Sequence, residues 1–250
     1  MAEVCAIVLA AGQGTRMKSD LPKVLVPVCG RPMIDYVIDM LEACGIRKTI
    51  VVVGYRADLV REHLAGRSGL TFVEQKERLG TGHAVMVCRD ALAGHTGPVA
   101  IVTGDSPLVK AASIQALLDE RERLNAACLL GTAKKENPFG LGRIVRDPDG
   151  RFTGIVEEKD ATPQQRLITE VNMSCYVFAA DDLREALGDL RADNAQKEYY
   201  ITDAPGHLRR RGRTVEALPV LTPSETLSIN TVEELEIVER ALRSGTANGQ

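Results

Sequence analysis

Apolar positions in the first half of the chain alternate between two textures. Short unbroken runs at Cys5–Leu9, Thr49–Val53, Thr71–Val73, Val99–Val102 and Ala126–Gly131 read as strands. The β-branched run at Thr49–Val53 suits a strand covered on both faces. Between the runs, apolar residues fall three and four apart. Met33–Ala43 places Ile34, Val37, Ile38 and Leu41 on one helical face. Ile114–Leu124 does the same with Ile114, Leu117, Leu118 and Leu124, and Asp58–Leu64 and His83–Leu92 also read as helices. Alternating strands and helices predict an α/β protein with a mostly parallel central sheet flanked by helices.

The texture changes after Thr132. Arg143–Val145 and Phe152–Val156 flank Asp147-Pro148-Asp149-Gly150, and a Pro-Asp-Gly turn between β-rich runs predicts a hairpin. Ser174–Phe178 reads as a further strand. Asp181–Leu187, Tyr200–Arg211 and Val232–Leu242 read as helices, the last with apolar residues at Val232, Leu235, Val238 and Leu242. No internal repeat or low-complexity linker interrupts the chain. The β-rich segment is therefore expected to be a small insertion in one domain over 1–242, followed by a frayed tail over 243–250.

Composition narrows the class. Of 250 residues, 44% are hydrophobic and 26% charged, with a net charge of −3. That excludes a disordered chain, and the absence of a basic excess excludes a general nucleic-acid binder. No apolar run approaches the roughly 18 residues of a membrane span, so no membrane partner is expected. The stretch from Val4 to Ala11 has no basic segment before it, so it reads as a strand rather than a secretory leader, in a cytoplasmic protein. Six scattered cysteines form no C-x-x-C pair and are expected to be reduced core residues.

The sharpest local feature is LAAGQGTRMKSDLPKVL, from Leu9 to Leu25. Glycines after a buried strand let backbone N–H groups approach an anion. No Gly-Lys-Ser/Thr follows at Walker A spacing, and Met17 stands where a dinucleotide fingerprint needs its third glycine. The last point disfavours a dinucleotide-dependent oxidoreductase. Arg16, Lys18 and Lys23 instead concentrate cations in a nearly neutral chain, which suits a polyphosphate. On these residues alone a plain surface loop stays open.

The loop resembles the signature of the sugar-1-phosphate nucleotidyltransferases, most closely the bacterial N-acetylglucosamine-1-phosphate uridyltransferases. The resemblance continues in order through LGTGHAV (79–85), GDSPLV (104–109), GLGRIVRD (140–147), GIVEEKDAT (154–162), EVN (170–172), NAQKEYYITD (194–203) and IN (229–230). It implies a Rossmann-like nucleotidyltransferase fold and transfer of a uridylyl group from UTP to N-acetylglucosamine-1-phosphate, a cell-wall precursor reaction that releases pyrophosphate. In that reading Leu9, Ala10, Ala11, Gly12, Gly14 and Thr15 belong to the substrate loop, with Arg16 and Lys23 catalytic. Gln75, Gly80 and Thr81 match positions at the uracil and ribose, and an amide side chain suits a base edge. Thr103 and Gly104 lead into Asp105, which with Asn230 would hold Mg²⁺, the implied cofactor.

Gly142, Glu157 and Asn172 match positions that grip the sugar phosphate, and Tyr199 and Thr202 adjoin them. Several residues keep bland alternatives: a strand-to-helix turn at 79–84, a turn or helix cap at Asp105, and a helix cap at Asn230. His83 reads as structural. Glu157 and Glu158 are expected to face opposite ways and so not to form an acid–base pair. Thr103 stands where these relatives often carry tyrosine, and Met173-Ser174 stands where they carry Thr-Gly after the asparagine. Both touch the sugar pocket, so the same chemistry on another sugar phosphate or nucleotide is a second reading. A non-catalytic nucleotide-sugar sensor is a third. Many members continue into a β-helix of hexapeptide repeats with acetyltransferase activity. This sequence has no such repeats, so only uridyltransferase chemistry is expected of it. The oligomeric state stays open.

Overall fold

The computed structural model describes residues 2–17, 19–227, 229 and 231–244. Strand β1 is Cys5–Ala10, and β2 (Pro27–Val28) and β3 (Arg31–Pro32) form a short antiparallel pair. Then follow α1 (Met33–Ala43), β4 (Lys48–Val53), α2 (Ala57–His63), β5 (Leu70–Glu74), α3 (Thr81–Met86), β6 (Pro98–Thr103) and α4 (Ala111–Leu124). The second half comprises β7 (Cys128–Lys134), β8 (Arg143–Arg146), β9 (Phe152–Val156), α5 (Pro163–Arg166), β10 (Glu170–Ala179), α6 (Ala180–Asp189), α7 (Asp203–Arg210), β11 (Val215–Leu218) and α8 (Val232–Arg243).

The central sheet runs β11-β7-β10-β6-β1-β4-β5. β1 pairs in parallel with β4 and β6, β4 with β5, and β11 with β7. Only β10 runs against its neighbours β6 and β7, and it carries the β8–β9 hairpin at one end. This is the expected mostly parallel α/β sheet with its β-rich addition.

Alternation explains why the strand sequences are apolar throughout. In β1, Cys5 and Ile7 pack on one face with α3, α6 and α7 residues. Ala6, Val8 and Ala10 pack on the other, against α1, α2 and α4. Both faces are covered, so neither set of alternate residues can be polar. On α1, Ile34, Val37, Ile38 and Leu41 are all buried, as their spacing requires. A third, smaller cluster joins Met17, Val28, Met33, Leu108 and Val238, and so seats α8 beside the glycine loop.

Some boundaries differ from expectation for identifiable reasons. α3 stops at Met86, and the chain continues to residue 94 in irregular turns with mixed spacing, such as Cys88 N–H to Val85 O and Leu92 N–H to Cys88 O. The helix expected from Tyr200 begins at Asp203, because backbone groups at 199–201 are engaged by residues 79–82. Val232 is 44% exposed rather than inward. The cysteines are all free. Cys29 departs from the core expectation, since it is exposed in a left-handed turn with φ 50°. Of the expected tail, residues 245–250 lie outside the described residues.

Candidate active site

Parallel α/β sheets present ligands at the carboxyl ends of their strands. Here the ends of β1 and β6 meet in a cleft of about 270 Å³, whose walls include Leu9, Ala11, Gly12, Lys23, Thr103 and Asp105. A larger cavity of about 410 Å³ lies at the opposite end, between the starts of β1 and β6 and the side of α4, and holds none of the glycine-loop residues. The glycine-loop residues line the smaller one.

At its floor, Lys23 Nζ lies 2.5 Å from Asp105 Oδ2, with the side chains 14% and 27% exposed. The glycine loop is shaped to allow this. Gly14 has φ +70°, a left-handed conformation, and a Cβ there would stand 2.7 Å from Lys23 Cβ. Its carbonyl accepts from Met17 N–H at 2.9 Å, which closes the turn at Thr15–Met17. Gly12 has nothing within 4 Å of a built Cβ, so its backbone opens onto the cleft. Gly104 lies behind, with its N–H on Leu9 O at 2.9 Å. Asp105 is therefore not a helix cap, since α4 starts at Ala111.

The opposite wall carries Gln75, Gly80 and Thr81. Gln75 is 5% exposed. Its Nε2 donates to Gly80 O at 3.0 Å and meets His83 Nδ1 at 3.2 Å. Nothing among the described residues donates to its Oε1, which is left to accept from a ligand. His83 is thus an orienting partner, as its structural reading implied. The glycines of LGTGHAV have a role the sequence did not suggest. A Cβ on Gly80 would lie 2.5 Å from Tyr199 O, and one on Gly82 would meet the same carbonyl at 2.9 Å. Gly82 N–H donates to Tyr199 O, Tyr199 N–H to Leu79 O, and Ile201 N–H to Thr81 Oγ1. The motif straps segment 198–201 against the cleft wall, and the Gly82 amide is spent on that strap rather than held for an anion.

A second cluster forms where the hairpin meets β10. A Cβ on Gly142 would lie 3.4 Å from Glu157 Oε1 and 3.6 Å from Asn172 Cβ, so these three residues converge. Asn172 N–H donates to Gly142 O at 2.9 Å, and Thr202 Oγ1 donates to Glu157 Oε1 at 2.9 Å. Burial pushes the Glu157 carboxyl up from its ordinary range. Glu158 turns away to the buried Arg143, 2.6 Å from its Nη2, and to Gly140 N–H. The two glutamates diverge as expected, although both follow the end of β9.

Thus nine of the expected residues line one cleft: Leu9, Ala11 and Gly12, then Lys23, Gln75 and Gly80, then Thr81, Thr103 and Asp105. Four others, Gly142, Glu157, Asn172 and Thr202, form the neighbouring cluster. Thr15 and Arg16 sit exposed on the turn beyond the cleft wall. Ala10 is buried at the end of β1. Asn230 lies outside the described residues, and the cap of α8 is Thr231, whose side chain accepts from Glu234 N–H in a capping box. The cleft also contains Arg78 and Glu198, which sequence reasoning passed over. Both were signalled as charges beside or within matched motifs. Arg78 crosses the rim to Gln13 Oε1 at 3.2 Å.

No group of three or more His, Cys, Asp or Glu side chains able to hold a metal occurs among the described residues. Asp105 offers a carboxylate beside Lys23 at the floor, with no hydrogen bond to Oδ1 among those residues. That fits Mg²⁺, which is commonly held by one or two carboxylates with substrate phosphates completing the shell.

The family model for MobA-like NTP transferase domains matches residues 6–205. The bifunctional protein GlmU of Geotalea daltonii is 43% identical over 243 residues, covering 97% of this chain and 53% of that protein. The GlmU of Listeria monocytogenes is 44% identical over 230 residues, covering 92% of this chain and 50% of that protein. The chain spans about half the length of the curated relatives it matches. A UDP-glucose pyrophosphorylase solved with UDP-glucose superposes with a TM-score of 0.76 at 19% identity, covering 98% of this chain and 99% of that one.

Proposed function

The chain belongs to the MobA-like NTP transferase family, and from that premise we propose that it transfers a uridylyl group from UTP to N-acetylglucosamine-1-phosphate. The observation that carries this reading is the Lys23–Asp105 pair at the floor of a cleft whose wall also carries the Gln75 amide.

A phosphate oxygen of the sugar phosphate attacks the α-phosphorus of UTP. The new P–O bond forms as the α–β bridging P–O bond breaks, and pyrophosphate leaves. The attacking oxygen is already ionised near neutral pH, so no general base is required. The demand is for positioning and charge stabilisation. Gln75 Oε1 accepts from the uracil edge, and Gly12 lets the phosphates approach the backbone. Lys23 stabilises charge on the α-phosphate and the leaving group, with Arg16 on the adjacent turn. Gly142, Glu157 and Asn172 hold the sugar. Asp105, with Asn230, would hold Mg²⁺, which supplies further charge neutralisation when bound.

Thr103 and Ser174, at the departures noted above, favour a second reading in which the chemistry is kept and the sugar differs. The test is pyrophosphate release in Mg²⁺ from UTP with N-acetylglucosamine-1-phosphate, beside a panel of other sugar 1-phosphates and nucleoside triphosphates. Release with UTP and the N-acetylated sugar is expected to dominate. Preference for another pair would replace the substrate, and no release with any pair would remove the enzyme reading.

A further inference from the structure

Both ends of the Asn172 side chain are committed inside the fold. The backbone N–H of Ser174 can only donate, and it lies 3.2 Å from Asn172 Oδ1. That identifies which end of the amide is oxygen. The NH₂ group points the other way, and Nδ2 donates to Tyr176 Oη at 2.7 Å. Tyr176 is 1% exposed and Asn172 is 4% exposed.

A local irregularity makes the contact possible. Residues four apart in a regular strand are separated by about 13 Å. In β10 the register against β7 steps from Asn172 opposite Thr132 straight to Cys175 opposite Gly131. Met173 and Ser174 are thus looped out of the ladder, and Ser174 takes φ 53° to do so. The loop draws Tyr176 back to about two residues' rise from Asn172, on the same face. Burial, then the nearby Glu157 carboxylate, push the Tyr176 phenol up, so it stays a neutral hydroxyl able to accept from the amide.

We propose that Tyr176 is a positioning residue for sugar recognition. Its hydroxyl fixes the orientation of the Asn172 amide. The remaining N–H and the remaining carbonyl lone pair are then aimed at the acylamino or hydroxyl group of a sugar phosphate. The proposal rests on the function proposed above.

The test is Tyr176→Phe in the full chain, which removes the hydroxyl and keeps the ring. KM for the sugar phosphate is expected to rise about fivefold, the scale of one lost hydrogen bond. KM for UTP and kcat should be nearly unchanged, with a Tm fall of only the few degrees that one lost buried hydrogen bond costs. In an Asn172→Ala background the same substitution should add nothing to the sugar KM, because it acts through that amide. An unchanged sugar KM overturns the proposal. So does an effect that persists without Asn172, or a joint rise of both KM values with a larger fall in Tm. Side-chain amide exchange of Asn172 in the wild-type protein tests it without any variant. Slow exchange is expected, and exchange at the rate of a surface amide overturns the proposal. If the wild-type protein releases no pyrophosphate, the functional reading fails, while the amide measurement still judges the positioning.

Discussion

In the cleft beside β1, one side comes from a single short stretch of chain. Gly12, Gly14 and Lys23 share a loop, while Asp105 and the Gln75–Thr81 wall arrive from elsewhere. The cluster beside β10 draws Gly142, Glu157, Asn172 and Thr202 from four separate segments. In the proposed reaction the first region meets polyanions with glycine backbone and a cation paired to a carboxylate. The second is a floor of neutral and acidic groups, buried enough that Glu157 and Asp203 are harder to ionise than usual. The contrast suits a division of labour in which one region handles charge and the other reads hydroxyl and amide groups.

The largest expected effect separates the two regions outright. Lys23→Ala should lower kcat by about 100-fold or more, the loss that follows removal of one charge stabiliser. Asp105→Ala should remove turnover. Both variants should remain folded by circular dichroism. Wild-type kcat in Lys23→Ala would mean that charge is stabilised somewhere other than this pair.

A glycine in each region provides the next comparison. Gly14→Ala meets both a left-handed backbone and a Cβ 2.7 Å from Lys23, so it must displace the lysine. We expect kcat to fall about tenfold, with a stability loss of about 1–2 kcal/mol. Gly142→Ala meets no positive φ, and its tightest neighbours are Ile155 Cγ2 at 2.9 Å and Glu157 Oε1 at 3.4 Å. It should instead raise KM for the sugar phosphate severalfold with little change in kcat. Steady-state kinetics with each substrate varied in turn checks both. Equal effects on kcat would erase the proposed division.

The two regions also differed in how far the sequence disclosed them. The glycine loop was legible because its geometry is local: a turn glycine and a cation within reach of it need no knowledge of the rest of the fold. The parallel sheet was legible for a similar reason, since burial on both faces forces continuous apolar runs. The Gly142–Asn172 contact depends on strand register, which no spacing rule supplies, and only the family resemblance pointed to it. Gly80 and Gly82 were legible as special but not for the right cause, because the Tyr199 carbonyl that excludes their Cβ atoms lies more than a hundred residues away. The same strap hid the true start of α7. Tyr176 gave no signal at all, since its value rests on two residues leaving the ladder between it and Asn172.

Acidity offers a third and smaller probe. Asp203 is pushed up to about 6, chiefly by burial and then by Asp193, with Asp160 adding to the rise and Arg210 opposing it. A folded pKa above the unfolded one means that the native state holds the proton more tightly. Its stabilising contribution is then full below about pH 4, near the unfolded value, and is lost as pH rises through about 6. Asp203→Asn should flatten that part of the Tm–pH curve, and its Tm advantage over wild type should grow from pH 4 to pH 7. A constant offset across that range would show that Asp203 ionises as freely in the fold as in the unfolded chain.

The smallest effect concerns Ser174, at φ 53° in the loop between Asn172 and Cys175. A side chain in the left-handed region costs about 1–2 kcal/mol, which glycine avoids, although glycine gives back part of the gain through its more flexible unfolded chain. Ser174→Gly should therefore stabilise by about 0.5–1 kcal/mol, a Tm rise of about 1–4 °C for a chain of this length. Differential scanning calorimetry measures it directly. A lower Tm would mean that the serine hydroxyl, which acts on the Tyr176 phenol, contributes more than the backbone strain costs. The cluster beside β10 would then owe part of its order to a polar contact that glycine cannot make, and the contrast with the glycine-built cleft would be sharper still.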